Sequence, residues 1–219
     1  MDLQIRRTDD GSITLFSEMF QECYHSSGGA VKESMHVFIN AGLTTLSKSQ
    51  MNIFEVGFGT GLNALLTLLE AQKHDLTIEY TAIELYPVEK TIVEKLVYAP
   101  FLKTENSLFQ SLHQSPWNER TQIIPNFFLR KIYGNLTTAS LEEKYDLVYF
   151  DAFSPAIQPE LWTDEVFAKM FNAMSKGGLL TTYCAKGAVR RAMQKAGFLV
   201  ERLPGPPPKR EMLRARKTD

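Results

Sequence analysis

Met51-Asn-Ile-Phe-Glu-Val-Gly-Phe-Gly-Thr-Gly-Leu-Asn63 is the stretch whose reading decides the fold. It opens with a short apolar, β-prone run and closes in a glycine cluster, Gly57, Gly59 and Gly61. A helix-like run, Leu62 to Ala71, follows at once. Strand, glycine turn, helix is the arrangement by which an α/β sheet receives a nucleotide-like ligand at the carboxyl end of its first strand. Residues without side chains let the backbone approach the ligand, and the next helix presents free N–H groups to it.

The spacing says more than the glycines do. A dinucleotide fold shows G-x-G-x-x-G, whereas here the pattern is Glu55-x-Gly57-x-Gly59-x-Gly61, with Phe58, Thr60 and Asn63 in or just beyond the same turn. A carboxylate two residues before the first glycine, read as lying on the rim, suits the sulfonium and α-ammonium of S-adenosylmethionine and repels a pyrophosphate. Glu84 ends the next apolar run, Ile78–Ile83, where it is placed to accept both ribose hydroxyls. NAD enzymes place an acid similarly, so it is Glu55 and Glu84 together that favour S-adenosylmethionine over NAD.

Outward from that turn, 219 residues fit one α/β domain with an appendage. The division expected is an N-terminal substrate-recognition extension over 1–46 and a cofactor-binding domain over 47–219. A chain 44% hydrophobic and 22% charged can build a full core. No apolar run approaches the ~18 residues of a membrane span. The opening Met-Asp-Leu-Gln-Ile-Arg-Arg lacks the apolar core of a signal peptide, and two isolated cysteines, Cys23 and Cys184, fit a reducing cytoplasm. Four scattered histidines show no ligand spacing, so no metal is expected. The net charge of −1 argues against indiscriminate nucleic-acid binding, but its distribution is uneven. From Lys186 onward there are ten Lys or Arg against three acids, a surplus of seven that leaves −8 for the rest of the chain. Such asymmetry suggests one positive face for a polyanionic substrate.

Residues 3–8 and 12–16 flank Asp9-Asp10-Gly11, a hairpin signal. A polar loop, 24–30, and a helix over Val31–Leu43 complete a leader that the sheet does not need. Val88–Tyr98 and Ser107–His113 read as helices, and Asn126–Tyr133 as a third strand ending at Gly134-Asn135, where Asn135 is placed to meet an adenine. Tyr145–Phe150 is a near-continuous apolar strand, as inside a parallel sheet. Trp162–Met174 reads as a helix stopped by Gly177-Gly178, Leu179–Cys184 as the fifth strand, and Gly187–Ala196 as a helix. Phe198–Leu203 and Met212–Arg216 bracket a proline-stiffened linker as an antiparallel final pair.

The strand over 145–150 delivers Asp151-Ala152-Phe153-Ser154-Pro155 at its carboxyl end, where open α/β sheets do their chemistry. Methyl transfer from a sulfonium is an in-line displacement, in which orientation alone can supply roughly 7–11 kcal/mol. An amine nucleophile must first lose a proton, and a neighbouring carboxylate can hold the ammonium and take that proton. Asp151 stands in the right place for this role, Phe153 is a platform for a flat base, and Pro155 stiffens the loop.

These residues resemble a known family, the methyltransferase domain of the bifunctional tRNA 5-methylaminomethyl-2-thiouridine biosynthesis protein MnmC. The matching stretches are Tyr24-His-Ser-Ser-Gly-Gly-Ala-Val-Lys-Glu-Ser-Met-His-Val-Phe-Ile39, Glu55-Val-Gly-Phe-Gly-Thr-Gly-Leu-Asn63 and Phe150-Asp-Ala-Phe-Ser-Pro-Ala-Ile-Gln-Pro-Glu-Leu-Trp162. Val189–Phe198 and Lys209-Arg-Glu-Met-Leu-Arg214 match as well. The glycine motif is shared by many methyltransferases, while the Asp-Ala-Phe-Ser-Pro block and the Lys-Arg-Glu-Met-Leu ending are far more specific. The resemblance implies a Rossmann-like class I fold: a mainly parallel seven-stranded sheet with an antiparallel last strand and an N-terminal hairpin and helix extension. It implies S-adenosylmethionine as methyl donor, S-adenosylhomocysteine as product, and as acceptor the exocyclic amine of 5-aminomethyl-2-thiouridine at the tRNA wobble position. It also implies Asp151 at the catalytic site and Glu84 on the cofactor ribose.

The partner implied is the tRNA anticodon stem-loop, with Lys209, Arg210, Arg214, Lys186 and Arg190 on its phosphates. Tyr24, His25, Glu33, Ser34 and Phe153 are the candidates to surround an extruded base. Two departures stand out. Bifunctional members carry an FAD-dependent oxidase domain, and here the chain stops after the last strand. Only the methylation step is therefore expected, with no FAD on this chain; a separate oxidase or the upstream wobble-uridine enzymes would supply the aminomethyl group. The third strand ends Gly-Asn where relatives are expected to have Gly-Asp. Rival readings are a same-fold methyltransferase acting on a small amine or a protein, a non-catalytic RNA-binding module, and an NAD-linked oxidoreductase.

Overall fold

The computed structural model describes residues 2–141 and 143–218; Met1, Glu142 and Asp219, and with them the outermost residues of the two expected domains, lie outside the described residues. Eleven strands form two sheets among those residues. The smaller is β1 (Leu3–Arg7), β2 (Ile13–Ser17) and β3 (Glu22–Cys23), antiparallel in that order. The larger holds β4 (Gln50–Val56), β5 (Thr77–Glu84), β6 (Arg120–Ile124), β7 (Phe127–Tyr133), β8 (Tyr145–Phe150), β9 (Met174–Thr182), β10 (Leu199–Pro204) and β11 (Glu211–Arg216). Its order is β10-β11-β9-β8-β4-β5-β7-β6.

β4 pairs in parallel with both β5 and β8, which makes it a central strand covered on both faces. That position explains its continuous apolar character. Met51 and Ile53 enter one apolar cluster, with α2 (Leu62–His74) and the leader. Phe54 and Val56 enter the other, with the C-terminal helices. Past α3 (Lys90–Val93), the helix α4 (Asn106–Gln114) joins the first layer, while α5 (Asp164–Ala173) and α6 (Gly187–Lys195) build the second. The side chain of Thr163 accepts from the Val166 N–H at 3.3 Å and caps α5, whose first turn carries Asp164 and Glu165. β11 lies between β9 and β10 and is antiparallel to both, as expected of the last strand.

The sheet has eight strands rather than seven. The extra one, β6, is an antiparallel edge strand beside β7, with a register shift between Gln122 and Ile124. Its polar residues, Arg120, Thr121 and Gln122, hide a strand pattern, as edge strands often do. Gly177-Gly178 does not end α5 but lies inside β9, because Gly177 takes φ 78° and the strand bulges there.

The helix expected over Val31–Leu43 is three pieces. α1 (Ala30–Ser34) runs into a wide-turned segment, Met35–Asn40, and a short 3-10 turn follows at Leu43–Thr45. Val37, Phe38 and Ile39 are all buried, more than one narrow helical stripe provides for, and Phe38 packs on Tyr149 with centroids 5.1 Å apart. The helix expected over Val88–Tyr98 shrinks to α3. Val88, Thr91, Ile92 and Val93 are β-branched, Pro100 disfavours a helical residue before it, and the Tyr98 hydroxyl is tied to Ile13 O at 2.9 Å.

Candidate active site

The carboxyl ends of β4, β5, β7 and β8 open on one edge of the sheet, where a cleft of about 420 Å3 lies. Its floor is the glycine turn. Gly57 has φ 88°, and a Cβ there would stand 2.9 Å from Asp151 O, because the turn crosses the start of the loop after β8. Gly61, φ 73°, opens α2 against the His113 ring, 2.8 Å from where a Cβ would be. Burial lowers the His113 pKa to about 4, so its neutral ring N–H donates from Nε2 to Thr60 O at 3.0 Å. No side chain caps α2, which leaves the first N–H groups of a thirteen-residue helix available to a ligand.

Four polar side chains meet around this turn. Glu84 accepts from the Gly59 N–H at 2.9 Å and the Tyr86 N–H at 2.8 Å, one bond to each carboxyl oxygen. Burial raises its pKa and those backbone donors oppose the rise. Asn63, on the first turn of α2, donates from Nδ2 to Glu55 Oε1 at 2.9 Å and to Asp151 Oδ2 at 2.8 Å. Glu55 is 1% exposed; burial pushes its carboxyl well above the usual carboxylate range, against the Asn63 hydrogen bond. Burial first, then the Glu33 charge, raise Asp151 to about 7, while Asn63 and Lys209 pull it down.

Glu55 is therefore not a rim carboxylate. It lies on the face of β4 that Met51 and Ile53 share, beneath α2, and it is joined to Asp151 through Asn63.

The leader supplies the opposite wall. Phe153 makes a tilted contact with Phe20 at 4.7 Å and an edge contact with Tyr24 at 4.9 Å between centroids. Its backbone is pinned on both sides: Gln158 Oε1 accepts from its N–H at 3.1 Å, and the Trp162 indole donates to its carbonyl at 2.8 Å. Ser154 Oγ donates to Glu22 at 3.1 Å, which ties the Asp-Ala-Phe-Ser-Pro loop to β3. His25 pairs through Nδ1 with the Thr14 hydroxyl at 3.0 Å, and burial lowers its pKa to about 4, so it is neutral. Glu33 accepts from the Ser26 N–H at 2.7 Å and forms an ion pair with Lys209.

Tyr24, His25, Glu33, Gly57, Phe58, Gly59, Thr60, Asn63, Glu84, Asn135, Asp151, Phe153 and Lys209 all line the cleft. Glu55, Gly61, Ser34, Pro155, Lys186, Arg190 and Arg210 do not; Glu55 is buried beneath α2, Gly61 shapes the turn and Ser34 is buried in α1. Asn135 spends its Oδ1 on the Thr137 N–H and hydroxyl, both at 2.9 Å, so its amide nitrogen is what remains to donate.

Much of the C-terminal positive charge is paired rather than gathered on one face. Lys195 binds Asp164, Arg202 binds Glu211 and Arg214 binds Glu201 and Ala41 O. Lys209 points into the cleft. Lys186, Arg191 and Arg210 remain exposed, and Arg190 is half-buried.

Sequence reasoning missed Glu22, Gln158 and Tyr183 as cleft residues. Tyr183 directly follows β9, so the rule that strand carboxyl ends line the site was signal enough. Glu22 and Gln158 carry no local signal.

Residues 110–218 match a family model described as S-adenosyl-L-methionine-dependent methyltransferase. The tRNA 5-methylaminomethyl-2-thiouridine biosynthesis bifunctional protein MnmC of Magnetococcus marinus is 30% identical over 215 residues, which cover 92% of this chain and 32% of that protein. That of Pseudoalteromonas atlantica is 31% identical over 219 residues, 89% of this chain and 31% of the relative. Residues 110–218 thus fall in an S-adenosyl-L-methionine-dependent methyltransferase family, and the rest of the chain is similar to the MnmC proteins. It spans about a third of the length of the curated relatives it matches. The crystal structure of MNMC2 from Aquifex aeolicus shares the fold, with a TM-score of 0.78 at 24% identity over 98% of this chain and 70% of that one.

The site fits the family's cofactor on its own geometry. Asn63 Oδ1 is a buried acceptor with no hydrogen-bond partner among the described residues, and it lines the cleft, which suits an ammonium donor. The glycine turn supplies bare backbone, with the Tyr24 ring close over Gly59. Among the described residues there is no group of His, Cys, Asp and Glu able to hold a metal, and no helix is long and apolar enough to cross a membrane.

Proposed function

We propose that the protein methylates the exocyclic amine of 5-aminomethyl-2-thiouridine at the wobble position of tRNA, giving 5-methylaminomethyl-2-thiouridine. The observation that carries this reading is a carboxyl group, Asp151, held near pKa 7 beside the glycine turn and lining the same cleft as the aromatic side chains of Tyr24 and Phe153. A base of that pKa is matched to proton transfer near neutrality. When bound, S-adenosylmethionine supplies an electrophilic methyl group on its sulfonium. Glu84 would take the ribose hydroxyls on the lone pairs its two backbone bonds leave free. Asn63 Oδ1, backed by Glu55, would accept from the α-ammonium, the uncapped start of α2 would face the carboxylate, and the Asn135 amide would donate to the adenine. Asp151 would hold the substrate ammonium and accept its proton at Oδ, while Phe153 and Tyr24 flank the base and exclude water.

In this reading, residues 1–46 form a recognition extension on the catalytic domain 47–219, and Lys186, Arg190 and Arg210 approach the phosphates of the anticodon stem-loop. The protein works in the cytoplasm, beside the wobble-uridine enzymes that supply the aminomethyl group. The curated relatives are named as bifunctional in biosynthesis of the same nucleoside, which supports the substrate. The test is mass spectrometry of wobble nucleosides from tRNA incubated with the protein and labelled S-adenosylmethionine. A labelled methyl on the aminomethyl nitrogen is expected, and tRNA that stays unlabelled while the cofactor binds would sink the proposal.

A further inference from the structure

Lys209 is the one lysine or arginine among the described residues that line the cleft, and it shares that lining with Glu22, Glu33, Glu84, Asp151 and Glu160. Its ammonium is paired with Glu33 and lies 4.0 Å from the centre of the Tyr183 ring. Both partners are fixed independently of the lysine. The other Glu33 oxygen accepts from the Ser26 N–H at 2.7 Å, and the Tyr183 hydroxyl donates to Ala152 O at 2.8 Å. Lys209 itself sits on the tight turn after β10, where its N–H donates to Pro206 O at 2.7 Å, and its side chain keeps 33% of its exposure. A carboxylate and an aromatic face at right reach of one another make a receptor for a primary ammonium. A primary ammonium already fills it.

We propose that Glu33 and the face of Tyr183 form an entry subsite for an ammonium in the same cleft as Asp151, that Lys209 stands in there for the aminomethyl cation of the substrate, and that the substrate amine takes its place on entry before it passes to Asp151. The proposal rests on the amine-methylation reading above. The exchange is one cation for another, so no buried carboxylate is left uncompensated at either end of it. Lys209 then swings toward the cleft mouth, where a polyanionic substrate brings phosphates. An occupant that must leave first weakens the apparent affinity by the fraction of time the subsite is open. Removing Lys209 therefore strengthens amine binding, the opposite of what a substrate-gripping lysine would show.

The probe is benzylammonium, a flat ring bearing an aminomethyl cation, titrated calorimetrically into protein saturated with S-adenosylhomocysteine. If Lys209 holds the subsite nine-tenths of the time, Lys209→Ala tightens binding about tenfold over wild type, and adding Glu33→Gln abolishes the gain. A cooperative thermal transition verifies folding, and Lys209→Met repeats the measurement if the alanine variant is unfolded. Binding that is equal, weaker or undetectable in the Lys209 variants overturns the subsite. Wild-type turnover on tRNA is measured alongside. Turnover without the Lys209 gain removes only the subsite, whereas the gain without turnover removes the tRNA reading and leaves the subsite standing.

Discussion

Replacing Asn63 by alanine removes one amide that serves two carboxyl groups, Glu55 at 2.9 Å and Asp151 at 2.8 Å. The backbone is spared: Asn63 O still accepts from the Thr67 hydroxyl, and alanine is the best helix former for the first turn of α2. A hydrogen bond to a charged group contributes roughly 1.5–3 kcal/mol, and one pKa unit is about 1.36 kcal/mol. Asp151, at about 7 with the bond in place, should therefore rise to about 8–9 without it. At pH 7 its ionised share falls from about half to between about one in ten and one in a hundred, a loss of roughly 5- to 50-fold in kcat/KM. The assay is kcat/KM for methyl transfer against pH. Wild type should show a rising limb near 7; in Asn63→Ala, measured at saturating S-adenosylmethionine, the limb should move up by one to two units. A limb that stays put, in a variant that still binds S-adenosylmethionine, would remove Asn63 from the control of Asp151.

Asp151→Asn should abolish methyl transfer and also change how stability varies with pH. Burial raises this carboxyl from 3.8 to about 7, so its contribution is fully present below about pH 4 and is lost as pH rises through 7. The variant should accordingly show a smaller fall in Tm between pH 5 and pH 8 than wild type; an unchanged fall would contradict the burial account. Gly57→Ala forces φ 88° on a side chain whose Cβ stands 2.9 Å from Asp151 O. A loss of about 1–3 kcal/mol, read as a lower Tm, and loss of S-adenosylmethionine binding in calorimetry are expected. Lys186→Glu combined with Arg210→Glu should raise the apparent KM for tRNA and reduce the salt slope of binding by about 1.5. An unchanged slope would place the RNA face elsewhere.

The sequence by itself determined what depends on neighbours along the chain. Gly57, Gly59 and Gly61 between an apolar run and a helix specify a turn, because backbone freedom is a local property. The unbroken apolar run Tyr145–Phe150 specifies a central strand, and so puts Asp151 at the carboxyl end of the sheet. Only the tertiary structure decided where side chains go once the faces are covered. Glu55 belongs to the same local motif, yet it is buried because its strand turns that residue toward α2, and its carboxyl reaches Asp151 through an asparagine. Lys209 reads as one more cation in a basic tail, but its partner Glu33 stands 176 residues earlier. Charge counts and periodicity carry no record of such a meeting, because it is made by packing the leader and the turn after β10 against the same cleft.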